Sequence, residues 1–235
     1  MYKKLAIVTG SAKGIGKELI IGLAKEKYDV VITYLTSEKE ALELENYIVD
    51  NYNVNAIAIK CDITKEEDII NLKNTILEKY NHIDILVNNA AYACDNYIDE
   101  KTKEEFMKVL EVNVVGTFLV TKHLYKYMSN GVIVNVSSTD SIDTYSEISM
   151  DYSASKAAIN NLTMTLSLSL NNIKVIGVMP NWTNTESIKE MNPEYLISEL
   201  KRIGQEKLEE PKEVAKNIID LINDTNIQSG EIRRV

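Results

Sequence analysis

Cysteine, histidine, proline and glycine are all scarce in this 235-residue chain, and each shortage excludes something. Cys61 and Cys94 are the only cysteines and form no CxxC pair, which excludes a disulfide framework and suits a reducing compartment. With His82 and His123 as the only histidines, no metal-ligand spacing exists, so no metal is expected. Three prolines leave no Pro-rich linker to divide the chain. No apolar run approaches the roughly 20 residues that span a bilayer. The start, Lys3 and Lys4 before LAIV, is too short for a signal peptide. A net charge of −9 lacks the basic face of a nucleic-acid binder. The expectation is a soluble cytoplasmic protein with neither nucleic-acid nor membrane partners.

What is present is an alternation. Seven strand-like apolar runs cover residues 4–10, 28–34, 54–62, 83–89, 131–138, 173–180 and, more briefly, 230–235. Between them lie helix-like stretches at 15–26, 37–52, one opened by a capping box of Thr64 and Glu67, a long one over 102–128 opened by Thr102 and Glu105, and 154–170. Val- and Ile-rich runs with little polar alternation predict strands covered on both faces. Right-handed crossovers then predict an α/β fold, a single domain over residues 1–235 with a doubly wound parallel sheet of about seven strands. In such sheets ligands bind at the carboxyl ends of the strands.

That edge carries the chemistry. The first strand ends in TGSAKGIG, whose Gly10, Gly14 and Gly16 allow a tight turn and close approach of backbone to a pyrophosphate. The helix that follows adds free N–H groups and the positive end of its dipole. Later strands end in Asp62-Ile63, Asn88-Asn89-Ala90-Ala91 and Ser137-Ser138, and Asn113 lies within the long helix. Tyr152 and Lys156 stand one helical turn apart on one face. A phenol has an ordinary pKa of about 10, and a neighbouring ammonium favours its phenolate.

Together TGSAKGIG, CDIT, NNAA, VNVVGTF, NVSS and YSASK resemble the classical branch of the short-chain dehydrogenase/reductase family over essentially the whole chain. Ketoacyl-carrier-protein reductases, sugar and polyol dehydrogenases and steroid dehydrogenases are the members it looks most like. The resemblance implies a Rossmann-type fold and hydride transfer between a nicotinamide cofactor and a carbonyl or secondary alcohol. It implies Tyr152 as general acid/base, Ser138 as hydrogen-bond donor to the substrate oxygen, Lys156 as support for Tyr152 and holder of the nicotinamide ribose, and Asn113 as anchor of a proton-relay water. Gly10, Ala12, Lys13, Gly14, Ile15, Gly16, Tyr34, Asp62, Ile63, Asn88, Ala90, Thr183 and Thr185, with Tyr152 and Lys156, are expected to contact the cofactor.

Tyr34 occupies the place at the end of the second strand where NAD-preferring members carry an Asp, and Lys13 resembles the basic residue of NADP-preferring ones. NADP(H) is therefore expected, with NAD as the alternative. Departures from the family pattern are Ala91 for a glycine, TDSID after Ser138, and Asn181 after Pro180. Residues 91–99, 138–151 and 181–204 should build the substrate pocket, with 183–208 as a mobile lid. The acidic middle segment fits a neutral or cationic small carbonyl compound better than an acidic carrier protein. An NAD-linked sugar or polyol dehydrogenase, or a nucleotide-binding regulator without catalysis, are the competing readings. Apolar residues around the 102–128 and 152–170 helices, Phe118 and Leu166 among them, suggest a homo-oligomer, a dimer or homotetramer.

Overall fold

A computed structural model describes residues 4–235. Seven strands form one sheet: β1 (Leu5–Val8), β2 (Asp29–Tyr34), β3 (Ala56–Lys60), β4 (Ile85–Asn88), β5 (Val132–Val136), β6 (Lys174–Met179) and β7 (Ile232–Arg234). All pair in parallel, in the order β3-β2-β1-β4-β5-β6-β7. The order reverses between β1 and β4, which opens a crevice at their carboxyl ends.

Alternate residues of each strand serve opposite faces. Ala6 and Val8 of β1, with Val30, Ile32, Val134 and Val178, pack under α1 (Gly14–Lys25), α2 (Glu38–Tyr52) and α9 (Pro211–Asn223). Leu5 and Ile7, with Val31, Leu86, Ile133 and Val175, pack against α3 (Glu66–Leu77), α5 (Thr117–Leu124) and the Leu166 stretch of α6 (Met150–Ser169). The remaining helices are α4 (Lys103–Leu110), α7 (Glu186–Lys189) and α8 (Pro193–Ile203). Burial on both faces accounts for strands that read as continuous apolar runs.

Three local expectations are corrected. Thr64 does not cap α3: its hydroxyl and its N–H both donate to Asp62 Oδ1, at 2.7 and 3.0 Å, and the helix begins only after Lys65. The Thr102–Glu105 capping box does form, but the long helix it opens is broken. A π-helical turn, Glu111–Gly116, separates α4 from α5, and a 3₁₀ turn, Tyr125–Tyr127, ends the run. Asn113 lies in that turn, bonded to both backbone polar groups of Tyr92. Gly116 passes so close to Ile63 that a Cβ would stand 2.7 Å from its Cδ1. Finally, α6 starts at Met150 rather than 154, so Tyr152 and Lys156 both lie inside regular helix.

Candidate active site

The crevice at the switch point is a cleft of about 630 Å³, within the range of small-molecule and cofactor sites. One end is walled by backbone. Gly10 has φ +60°, and a Cβ there would lie 2.9 Å from Ala90 Cα, so only glycine fits without strain. Gly16 meets Ser11 Cα and Asn89 just as closely. The loop is stitched to β4: Thr9 Oγ1 accepts from the N–H groups of Asn89 and Ala90, and Thr33 Oγ1 accepts from Gly10 N–H. The first turn of α1 carries no acidic residue and no side-chain cap. Its N–H groups are therefore free for an anion. Tyr34, Cys61, Asp62 and Ile63 continue this wall. A loop whose Gly10 and Gly16 leave no room for a Cβ, ending at an uncapped helix start, fits a dinucleotide pyrophosphate.

The other end is walled by side chains. Ser138, Tyr152 and Lys156 line it together. Ser138 caps the 3₁₀ turn Thr139–Ser141, accepting from Asp140 N–H at 3.1 Å. Asn160 donates to Ser141 Oγ, which donates to the Ser138 carbonyl at 2.5 Å, so α6 holds the serine loop from behind. Lys156 is buried, donates from Nζ to the Val136 carbonyl at 2.7 Å, and lies 5.3 Å from the Tyr152 ring centre.

Burial, partly offset by the Asp140 carboxylate, lowers Lys156 to about 8. Burial and Asp140 push the Tyr152 phenol above its ordinary value, while a hydrogen bond with Ser138 pulls the other way. Among the protein's own groups desolvation is the largest influence on Tyr152, and it favours the phenol.

Of the expected cofactor residues, Gly10, Lys13, Gly14, Ile15, Gly16, Tyr34, Asp62, Ile63, Ala90, Thr183 and Thr185 line the cleft with Tyr152 and Lys156. Three other residues were expected at the site and do not line it. Asn88 turns inward, donating to Thr121 Oγ1 and Asn135 Oδ1, and its neighbour Asn89 takes the lining position. The alternation of a strand decides this: moving one residue reverses the face. Ala12 is buried beneath the glycine loop. Asn113 stands behind the cleft, its amide shared between the Tyr92 carbonyl and Ser155 Oγ.

Lys13 reaches the cleft but pairs with Glu40 at 2.9 Å, which raises its pKa. Sequence reasoning gave Trp182 only a place in the 181–204 pocket segment and Asp140 and Asp95 a share in an acidic one; all three line the cleft. The expected pocket segments, 91–99, 138–151 and 181–204, all contribute lining residues. Cys61 and Cys94 are free thiols, and burial pushes Cys61 to about 12.

A family model for short chain dehydrogenases matches residues 4–196. The chain belongs to the short-chain dehydrogenase family. It is an NAD(P)-dependent oxidoreductase of the classical type. Among the family's characterised proteins it is 34% identical over 227 residues to glucose 1-dehydrogenase 2 of Bacillus subtilis (strain 168), covering 92% of this chain and 87% of that one. It is 31% identical to a 3-oxoacyl-[acyl-carrier-protein] reductase of Synechocystis, covering 94% and 90%. A short chain dehydrogenase from Burkholderia cenocepacia, solved in complex with NADP, superposes with a TM-score of 0.89 at 27% identity over 99% of this chain and 96% of that one. A dehydrogenase/reductase from Sinorhizobium meliloti gives 0.92 at 26%, over 100% and 94%. No helix among the described residues is long and apolar enough to cross a membrane.

Proposed function

We propose that this short-chain dehydrogenase reduces a small carbonyl compound with NADPH, and oxidises the corresponding secondary alcohol in reverse. The observation that carries the reading is the convergence of Ser138, Tyr152 and Lys156 on one end of a cleft whose other end is a tightly packed glycine loop. A bound nicotinamide would supply or accept the hydride. Tyr152 gives its phenolic proton to the substrate oxygen in reduction and takes it back in oxidation. Ser138 donates a hydrogen bond to the same oxygen as charge develops on it. Lys156 supplies positive charge beside the phenolate that Tyr152 leaves. Asn113, which holds the π turn against Tyr92, would anchor a water that relays protons to solvent. Gly10, Gly14, Ile15 and Gly16 would take the pyrophosphate, and Tyr34, Asp62 and Ile63 the adenosine.

Lys13 at the rim and the absence of an acid at the end of β2 support NADP(H). The acidic lining at Asp95 and Asp140 supports a neutral or cationic substrate. We place the lid over residues 183–208, within one domain spanning residues 1–235. The lid's rear is tied down by Tyr195 to Ser146 at 2.7 Å and by Arg202 to the Thr144 carbonyl at 3.4 Å. A dimer or tetramer would cover Phe118 and Leu168, both exposed on α5 and α6.

The Lys13–Glu40 pair favours a second reading, an NAD-linked sugar or polyol dehydrogenase, because a lysine already neutralised attracts a phosphate less. Titration with NADPH and with NADH, followed by nicotinamide fluorescence and a panel of small ketones and glucose, separates the two. Tighter NADPH binding with ketone reduction is expected. Tighter NADH binding with glucose oxidation would establish the second reading, and cofactor binding without turnover would indicate a regulator.

A further inference from the structure

The start of α6 is held from outside the helix. Ser149 is its N-cap residue, and a serine there usually accepts from the N–H of the second or third helical residue. Here it makes no such bond, and its hydroxyl donates to Asp95 Oδ1 at 2.7 Å. The third helical residue is Tyr152, whose N–H has no partner within the helix. Asp151 Oδ1 accepts from that N–H at 2.9 Å. The other oxygen of the same carboxylate, Oδ2, takes Lys101 Nζ at 2.9 Å, with the Lys101 side chain 4% and the Asp151 side chain 0% exposed. Lys101 also donates to the Cys94 carbonyl. Beside this pair, Asn96 N–H donates to the Ile148 carbonyl at 3.0 Å.

These bonds join two walls of the cleft. The loop after β4 brings Tyr92 and Asp95 to it, and α6 brings Ser149 and Tyr152. The loop has anchors of its own: Asn113 holds both backbone polar groups of Tyr92, and Glu105 accepts from the Asn96 side chain at 2.8 Å. The first turn of α6 thus leans on an anchored loop instead of on its own cap. Stability alone is a weak reason for such a pair, because an apolar pair of similar volume often does as well. An apolar pair could not reach both the Tyr152 N–H and the loop.

We infer that Lys101 is a positioning residue for Tyr152: through Asp151 it fixes the first turn of α6 to the 91–101 loop, so that the proton donor and a wall of the substrate pocket form one body. The inference rests on the reading of Tyr152 as acid/base and deepens it. A proton passes between phenol and substrate oxygen only across hydrogen-bond distance, and a misplacement of about 1 Å can cost about a hundredfold in rate. Seating donor and substrate on one body keeps that distance.

The test separates orientation from stability. Lys101→Met and the double variant Lys101→Met/Asp151→Leu are compared with the wild type, with NADPH and a ketone from the panel. In Lys101→Met, kcat/KM for the ketone should fall at least about tenfold, and its solvent deuterium isotope effect should rise as proton transfer slows. Affinity for NADPH should change little. The double variant should recover stability toward urea without recovering kcat/KM or the isotope effect, because the tether is still absent. Should Lys101→Met fail to fold, the double variant carries the test by itself. Recovery of kcat/KM together with stability overturns the inference, and so does a wild-type kcat/KM in a folded variant. Amide hydrogen exchange gives a readout free of substrate. Segments 92–101 and 149–153 should exchange faster together, with α6 beyond Lys156 unchanged. Faster exchange in the loop alone overturns the coupling. Turnover surviving in Tyr152→Phe would sink the acid/base reading itself, while the exchange pattern still reports on the tether.

Discussion

The two ends of the cleft are built on opposite plans. At the glycine-loop end the wall is backbone: positive φ at Gly10 and Gly14, close approach to Ala90, and an uncapped helix start. At the catalytic end the wall is a set of side chains, brought from β5, the 3₁₀ turn after it, α6 and the segment after β6. The first end works by what its glycines leave out, and those glycines are neighbours in sequence. The second works by charge and proton position, and distant polar contacts hold its parts. A single methyl group should therefore damage the first end, whereas the second should tolerate shape changes and respond to changes of charge.

The largest effect should come at the catalytic end. Tyr152→Phe removes the proton donor and little volume, so kcat should fall by about 10²–10⁴ with NADPH affinity nearly unchanged. Steady-state kinetics beside a fluorescence titration check both halves.

Next is the tether behind that end. Lys101 and Asp151 form an ion pair at 2.9 Å with side chains 4% and 0% exposed, and Lys101 also donates to the Cys94 carbonyl. Asp151 in turn accepts from Tyr152 N–H. Lys101→Met leaves a buried carboxylate unpaired and should cost about 3–5 kcal/mol in a urea unfolding curve. KM for the carbonyl should rise as the 91–101 loop loosens, with nicotinamide affinity less affected. The double variant Lys101→Met/Asp151→Leu should recover part of the lost stability.

At the backbone end, Gly10→Ala should cost about 1–3 kcal/mol through its left-handed φ and the contact with Ala90. It should also weaken both NADPH and NADH at least about tenfold. An alanine variant that binds normally would break the distinction between the two ends. The smallest effect is at the rim: Lys13→Ala should weaken NADPH roughly fivefold and leave NADH alone, and Glu40→Gln should do the opposite to NADPH. Equal effects on the two cofactors would remove Lys13 from phosphate recognition.

Sheet class and the glycine loop were legible because both are local. A run such as VVITY has one stable use in a sheet covered on two faces, and the three glycines of TGSAKGIG mark its turn. The broken helix over 102–128 was not legible. The π turn exists because Asn113 bonds to Tyr92, twenty-one residues away, and because Gly116 lets Ile63 press in. Thr64 misled for a local reason: Asp62, two residues back, took its hydroxyl and N–H in place of the helix start.

The sequence by itself determined the alternation of strands and helices, the parallel sheet, the glycine loop and the Tyr152–Lys156 spacing. Each depends on residues within a turn or a strand of one another. Only the tertiary structure decided that Asn88 faces inward while Asn89 faces the cleft. It alone brought Glu40 to Lys13 and Asp140 to Tyr152 and Lys156. Those outcomes depend on strand register, on the path of loops between elements, and on which buried charge finds which partner. They are properties of distance in space, and a one-residue shift in register reverses them.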